Sequence, residues 1–470
     1  MGDAPDLRSR THVIRSCEFG GKAGVARGDI TAPDGIYFRL WGSAKHDQPT
    51  GVHRPMLATA AAFADAKGDT QLVLLTIDHS WWRSKEDEEG FRFAILEAAG
   101  LPEDRLIIQP SHSHSAPMMD PDLADKPGGH LVKGFREHTI ATCIRIVAEA
   151  RAAMVPATLT WTAGRCGLAY NRNLPSPTED RSLCGLNPFT KADDTVVIGR
   201  AADANGRVLF TLVNYACHPI SLGGGNTKVS PDYIGALRET VEKETGGAPC
   251  LFLHGASGDM APRRAYESDP AIADKNGREL GFAALSGLTS MLSPGMDLVF
   301  QGAEESATPL AIWREKPAKV NSAIGARHLT VRLEVADMPT RDDLEKQIAA
   351  CTDRAMLERL NRARLRRLSV GDDREMDVGF WIWQLGDAFF VAMPGEMHTE
   401  FQMRLRDRFP QAKIAVMNIA NGSLGYLPPA EEFGMRTYQA QIALHKRGSN
   451  DRVLDAATAA IKEMIEATRS

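Results

Sequence analysis

Six short apolar runs, each ending abruptly on polar residues, constrain this chain more than any other feature. Residues 72–77 lead into Asp78 and His79, 106–109 into Ser111-His112-Ser113-His114, and 208–213 into Asn214-Tyr215-Ala216-Cys217-His218. Residues 251–253 lead into His254-Gly255-Ala256-Ser257-Gly258-Asp259, 388–393 into Pro394-Gly395-Glu396, and 414–417 into Asn418 and Asn421. Runs of Val, Ile, Leu and Phe of this length read as buried strands. Ligands of open α/β sheets bind just past the carboxyl ends of strands, so the polar tails are where chemistry is expected.

Helical patterns lie between the runs, over residues 135–154, 232–244, 282–292 and 342–368, the last with Thr340 and Asp343 placed as a cap. Strand and helix alternate, which predicts an α/β fold with a mixed sheet flanked by helices. Residues 1–470 are read as a single catalytic domain, with residues 298–371 forming an inserted subdomain packed on the main sheet. The tail, 451–470, reads as one amphipathic helix with Val453, Leu454, Ala457, Ile461 and Ile465 on a face. Gly223-Gly224-Gly225 lacks the GK[ST] ending of a phosphate loop and is read as a turn.

Composition removes several classes. With 43% hydrophobic and 24% charged residues, the chain is neither disordered nor fibrous. A net charge of -5 gives no basic face for nucleic acid, which is not expected as a partner. Seven cysteines without a CxxC pair argue for reduced thiols and against a zinc ribbon. No apolar stretch approaches the roughly 20 residues that span a bilayer, so no integral membrane segment is expected. Residues 1–16 lack the apolar core of a signal peptide, which gives a cytoplasmic expectation.

The densest chemical signal is Ser111-His112-Ser113-His114-Ser115. If the segment is extended, alternate side chains share a side and both imidazoles face one cavity. An HxH pair alone is more often a loop with two hydrogen-bonded histidines than a metal site. His218 precedes Pro219, which restricts its backbone and fixes where the ring points. Glu396 follows a Pro-Gly turn that projects its carboxylate, although a lone glutamate there is usually a cap. Two histidines and a carboxylate with an open position form a known catalytic zinc set, and separate strands can assemble one.

Other features rank lower. Gly255-Ala256-Ser257-Gly258-Asp259 has Asp where a nucleophile elbow needs Gly, so a structural turn is expected. Six arginines between Arg354 and Arg367 read first as a solvated helix face and second as an anion site. Trp81-Trp82 and Trp381-Ile382-Trp383 read as core or interface packing by default, with pocket lining as the alternative.

In order along the chain, residues 111–117, 214–223, 255–262, 394–396 and 421–432 resemble the blocks of neutral/alkaline non-lysosomal ceramidases. Residues 23–31 and 51–55 are similar to that family's opening, so the resemblance spans nearly the whole chain. It implies a catalytic Zn2+ held by His112, His218, Glu396 and Tyr426, the tyrosine resting on resemblance alone. It also implies that His114, Arg172 and Tyr438 line the substrate amide. Two departures stand out. Gly258-Asp259-Met260-Ala261-Pro262 replaces Gly-Asp-x-Ser-Pro, so no serine nucleophile is expected there. The family's C-terminal immunoglobulin-like domain and secretion signal are not expected either.

The sequence therefore predicts a zinc-dependent hydrolase in which metal-bound water attacks a carbonyl. The expected substrate is a small soluble N-acyl compound rather than ceramide. An esterase or lactonase with the same site, or a non-catalytic metal-retaining binding protein, are the alternatives.

Overall fold

Strands apolar on both faces need cover on both sides. The computed structural model describes residues 12–371 and 373–468, so the expectations for residues 1–11 and 469–470 lie outside the described residues. One sheet contains β1 (Cys17–Asp29), β2 (Leu57–Ala64), β3 (Gln71–Ile77), β4 (Leu106–Pro110), β5 (Val155–Arg165), β6 (Thr195–Asp203), β7 (Val208–Tyr215) and β8 (Cys250–His254). Its spatial order is β8-β7-β6-β5-β1-β2-β3-β4. A second sheet, β9 (Ile324–Glu334), β10 (Glu375–Leu385), β11 (Ala388–Ala392) and β12 (Lys413–Met417), runs in sequence order. The fold is mixed α/β, as expected.

Three neighbouring pairs are parallel, β3 with β4, β7 with β8, and β11 with β12. A parallel pair needs a crossover, and helices supply each one. They are α1 (Lys85–Ala99) between β3 and β4, α3 (Tyr233–Glu244) between β7 and β8, and α7 (Thr399–Arg408) between β11 and β12. The remaining long helices are α2 (Val132–Ala152), α4 (Pro270–Ser290), α5 (Arg341–Ala350), α6 (Arg354–Val370) and the C-terminal helix Ser449–Ala467.

The two sheets pack on each other through Phe63, Leu74 and Phe210 against Trp383, Phe390 and Met417. Phe91 and Ile146, with Leu237 and Leu280, cover the outer face of the large sheet. Phe401, Leu405, Val453, Leu454 and Ile461 cover the small one. The result is four layers, helix, sheet, sheet, helix.

Buried amides fasten the sheets together. Asn421 Nδ2 donates to Leu106 O at 2.8 Å, and its Oδ1 accepts from Ile108 N at 2.7 Å. Asn214 Nδ2 donates to Leu253 O at 3.0 Å and to Val416 O at 2.8 Å. Gln109 Nε2 bridges His254 O and Asn418 O. Each side chain satisfies main-chain groups that the sheets leave open.

The run 342–368 is not one helix. The chain turns extended at Cys351, and Asp353 starts α6 by accepting from Met356 N. The helix expected at 282–292 begins earlier, at Pro270, with Asp269 as its cap, a start signal of N-cap followed by Pro. Thr340 caps α5 through Asp343 N, and Gly224-Gly225 form a turn. In residues 298–371, strands Met296–Glu304 and Leu310–Pro317 join Val13–Ile14 in a small sheet, followed by β9, α5 and α6. The seven cysteines are free. No described helix is long and apolar enough to cross a membrane.

Candidate metal centre

The carboxyl ends of β4, β7, β8 and β11 converge on one point between the sheets. His112 leaves β4 with φ 64, a left-handed conformation that a non-glycine residue adopts only under constraint. The expected extended Ser-His-Ser-His geometry is therefore absent. His112 and His114 still meet, with ring centroids 4.8 Å apart, because the chain turns rather than because side chains alternate. The His218 ring lies 4.9 Å from that of His112. His112, His114 and His218 can each offer one ligand atom, all within 4.8 Å of one another, a group able to hold a metal ion.

Hydrogen bonds decide which atoms point inward. The Nδ1 of His112 bonds the Ser80 carbonyl at 2.9 Å, and the Nδ1 of His218 bonds the Ser257 carbonyl at 2.7 Å. Carbonyls only accept, so both Nδ1 atoms carry protons, and in the neutral ring that leaves each Nε2 with a lone pair. They face Glu396, whose Oε2 is 2.9 Å from His218 Nε2 and 3.7 Å from His112 Nε2. Burial, then Arg172, pushes His218 down to about 3, so no proton rests between it and the carboxylate at neutral pH. Three buried acceptors turned on one another fit a cation.

Glu396 and Tyr426 are paired in a two-residue parallel ladder, which sets phenol beside carboxylate. Burial first, and Glu396 second, raise the Tyr426 pKa well above its ordinary value. Arg172 Nη2 donates to Tyr426 Oη at 3.0 Å and to Gly258 O at 2.8 Å, and Nε donates to the same carbonyl. Burial opposes the Arg172 charge, yet Tyr426 and Glu396 among its neighbours keep its pKa raised. The Tyr438 ring lies 6.1 Å from that of Tyr426 and is 40% exposed, so it stands at the mouth. His114 is lowered well below its ordinary pKa by burial, then by His112 and His218, and is a neutral imidazole. All seven residues singled out from the sequence thus fall in one neighbourhood.

Ala261 sits in the strand Met260–Pro262, paired with Tyr170, and carries only a methyl group. The Gly258-Asp259 turn braces Arg172 through the Gly258 carbonyl, while Asp259 accepts from Thr399 N and Oγ1. Ser257 Oγ lies 2.8 Å from His254 Nε2 and 3.1 Å from His218 Nδ1, a bracing contact. His254 was not anticipated as part of the site, although it ends a buried strand as His112 and His218 follow theirs. Its ring is 5.1 Å from that of His112. The His398 and Glu432 pair at 2.9 Å, behind Tyr426, was also missed, and no spacing links the two in sequence. Trp41 and Trp81 wall His114 at 5.2 and 5.0 Å, so Trp81 lines the site while Trp381 and Trp383 belong to the core.

By sequence, the chain matches no protein-family model and no curated protein. By structure it aligns with a protein titled "Ceramidase complexed with C2", at a TM-score of 0.67 and 14% identity, covering 95% of this chain and 76% of that one. The chain shares the ceramidase fold. A neutral ceramidase from Pseudomonas aeruginosa aligns with a TM-score of 0.66 and 13% identity, covering 94% of this chain and 73% of the other.

Proposed function

We propose that the protein is a zinc-dependent hydrolase that cleaves an amide bond in a small N-acyl compound. The observation that carries this reading is the set of inward acceptors from His112, His218 and Glu396. Tyr426, beside Glu396, completes the proposed ligand set. A zinc ion held there supplies Lewis acidity toward a carbonyl and activates water near neutral pH.

The chain's own groups then divide the work. His114, neutral and at the rim, takes the proton of the attacking water and returns it to the leaving nitrogen. Tyr438 donates its hydroxyl hydrogen to the developing oxyanion, and Arg172 adds positive charge from beneath. No serine is required, which agrees with Ala261. A methyl group there also removes a hydrogen bond that a polar headgroup would use, which favours smaller acyl compounds over ceramide.

Turnover of N-acyl amides, esters and lactones, with and without chelator, tests the reading. Chelator-sensitive amide cleavage is expected. Ester or lactone cleavage alone would change the bond assigned, and no turnover of any member would leave a binding protein. A higher specificity constant for long-chain ceramide in micelles than for short N-acyl compounds would overturn the substrate assignment.

A further inference from the structure

The arginine run does not lie wholly on a solvated face. Arg362 of α6 places its guanidinium carbon 5.2 Å from the centroid of Trp81. The same indole stands 5.0 Å from His114 and 5.7 Å from His112. Between α6 and the connections that follow β1, β3 and β4 lies a pocket of about 170 Å³. One wall of it is Trp81, so the pocket and the candidate metal centre are separated by a single side chain.

Its charge is unbalanced. Arg39, Arg83, Lys126, Arg362 and Arg364 line the pocket, against Asp122 and Glu358. Arg83 pairs with Asp122 at 2.9 Å, and Arg39 lies 3.4 Å from Glu358, so both acids are already engaged. Among the described residues, no carboxylate lies within ion-pair distance of Arg362 or Lys126. Arg364 reaches only Glu345, at 3.4 Å, which is outside the lining. Arg364 Nε is a buried N–H group without a hydrogen-bond acceptor, and Arg39, only 5% exposed, has at its Nη1 only the 3.4 Å contact with Glu358. Buried guanidinium donors left without an acceptor are costly, so an oxyanion entering the pocket recovers what the protein leaves unmade. Leu40, Met118 and Leu365 add apolar wall, which strengthens the attraction.

We propose that this pocket binds a small oxyanion, a carboxylate or phosphate, carried by the substrate a short chain away from the bond to be cleaved. The volume suits a charged head with a few methylenes, on a scale where one water needs roughly 10 Å³. Its place beside the reaction centre rests on the hydrolase reading, whereas its affinity for an anion does not.

Two measurements on the full chain separate these. Glutarate and inorganic phosphate are titrated by calorimetry and by tryptophan fluorescence, which distinguishes carboxylate from phosphate as the preferred head. Saturable binding of at least one is expected, weakened about tenfold by Arg362→Gln and by Arg364→Gln, since each removes a charged donor. Thermal melts of both variants check that the fold is intact. Binding of neither anion, or binding that both folded variants leave unchanged, overturns the proposal.

The second measurement compares an N-acyl amide tipped with the preferred anion and its carboxamide-tipped counterpart. The anionic compound is expected to have the higher kcat/KM, through a lower KM that Arg362→Gln raises. Equal kcat/KM overturns the proposed link to the reaction centre. If neither compound is cleaved, the hydrolase reading fails and the titration alone decides the pocket.

Discussion

Glu396 and Tyr426 oppose each other in a two-residue ladder, so a carboxylate and a phenol are delivered together from segments that follow different strands of the small sheet. Tyr426→Phe is expected to keep the fold and weaken zinc binding at least about tenfold, the lower end of the cost of disturbing a metal ligand's surroundings. Competition with a chromophoric chelator reads this directly. Unchanged affinity would remove Tyr426 from the ligand set.

Zinc is expected at about one per chain and His218→Ala is expected to lose it, because a deleted ligand dismantles the site. Saturating metal should also raise the melting temperature of the native chain, since a hundredfold excess over Kd adds about 2.7 kcal/mol. Elemental analysis and melting curves with and without chelator check both. Full retention of metal by His218→Ala would refute the site.

Much of this site was legible because the segments carrying His112, His114, His218 and Glu396 each follow an apolar run, whereas Arg172, Tyr426 and Tyr438 were implied only by the family resemblance. Residues 106–109, 208–213 and 388–393 announced β4, β7 and β11, and the polar residues behind them did converge. The conformation at His112 was not legible, since nothing in Ser-His-Ser-His signals φ 64. Equally hidden was the role of Asn214 and Asn421, whose amides bond main-chain groups 202 and 315 residues away. The long helix at 342–368 failed for a local reason, because Asp353 is as good a cap as Thr340 and restarts the helix.

Asp120 gives a pH-dependent test. Burial pushes its carboxyl up to about 7, Arg83 only partly offsetting this, and Oδ2 has no hydrogen-bond partner. The folded pKa exceeds the unfolded value of roughly 4, so stability is full below pH 4 and is lost as pH rises through 7. Asp120→Asn should therefore melt above the native chain at pH 8, with the difference closing toward pH 4. A lower melting temperature for the variant at pH 8 contradicts the assignment.

Asn421→Ala removes two buried hydrogen bonds that join the sheets and puts alanine at φ 53. The loss should be about 2–4 kcal/mol, because Leu106 O and Ile108 N keep their burial without their partner. A fall in the urea midpoint at unchanged slope would show it. A midpoint equal to that of the native chain would mean water replaces the amide.

Tyr438→Phe should lower kcat about a hundredfold while KM changes little, the pattern of a donor used only in the transition state. An effect confined to KM would make Tyr438 a binding residue instead.

The amides of Gln109, Asn214 and Asn421 lie in the seam between the sheets, and the walls formed by Trp41, Trp81 and α6 come from connections outside it. On the proposed hydrolase reading, selectivity and reactivity would be carried by separate parts of the chain. Replacing side chains along those connections would then exchange one substrate tail for another while the spacing of His112, His218 and Glu396 stays fixed, so the two properties would be open to independent alteration in the same molecule.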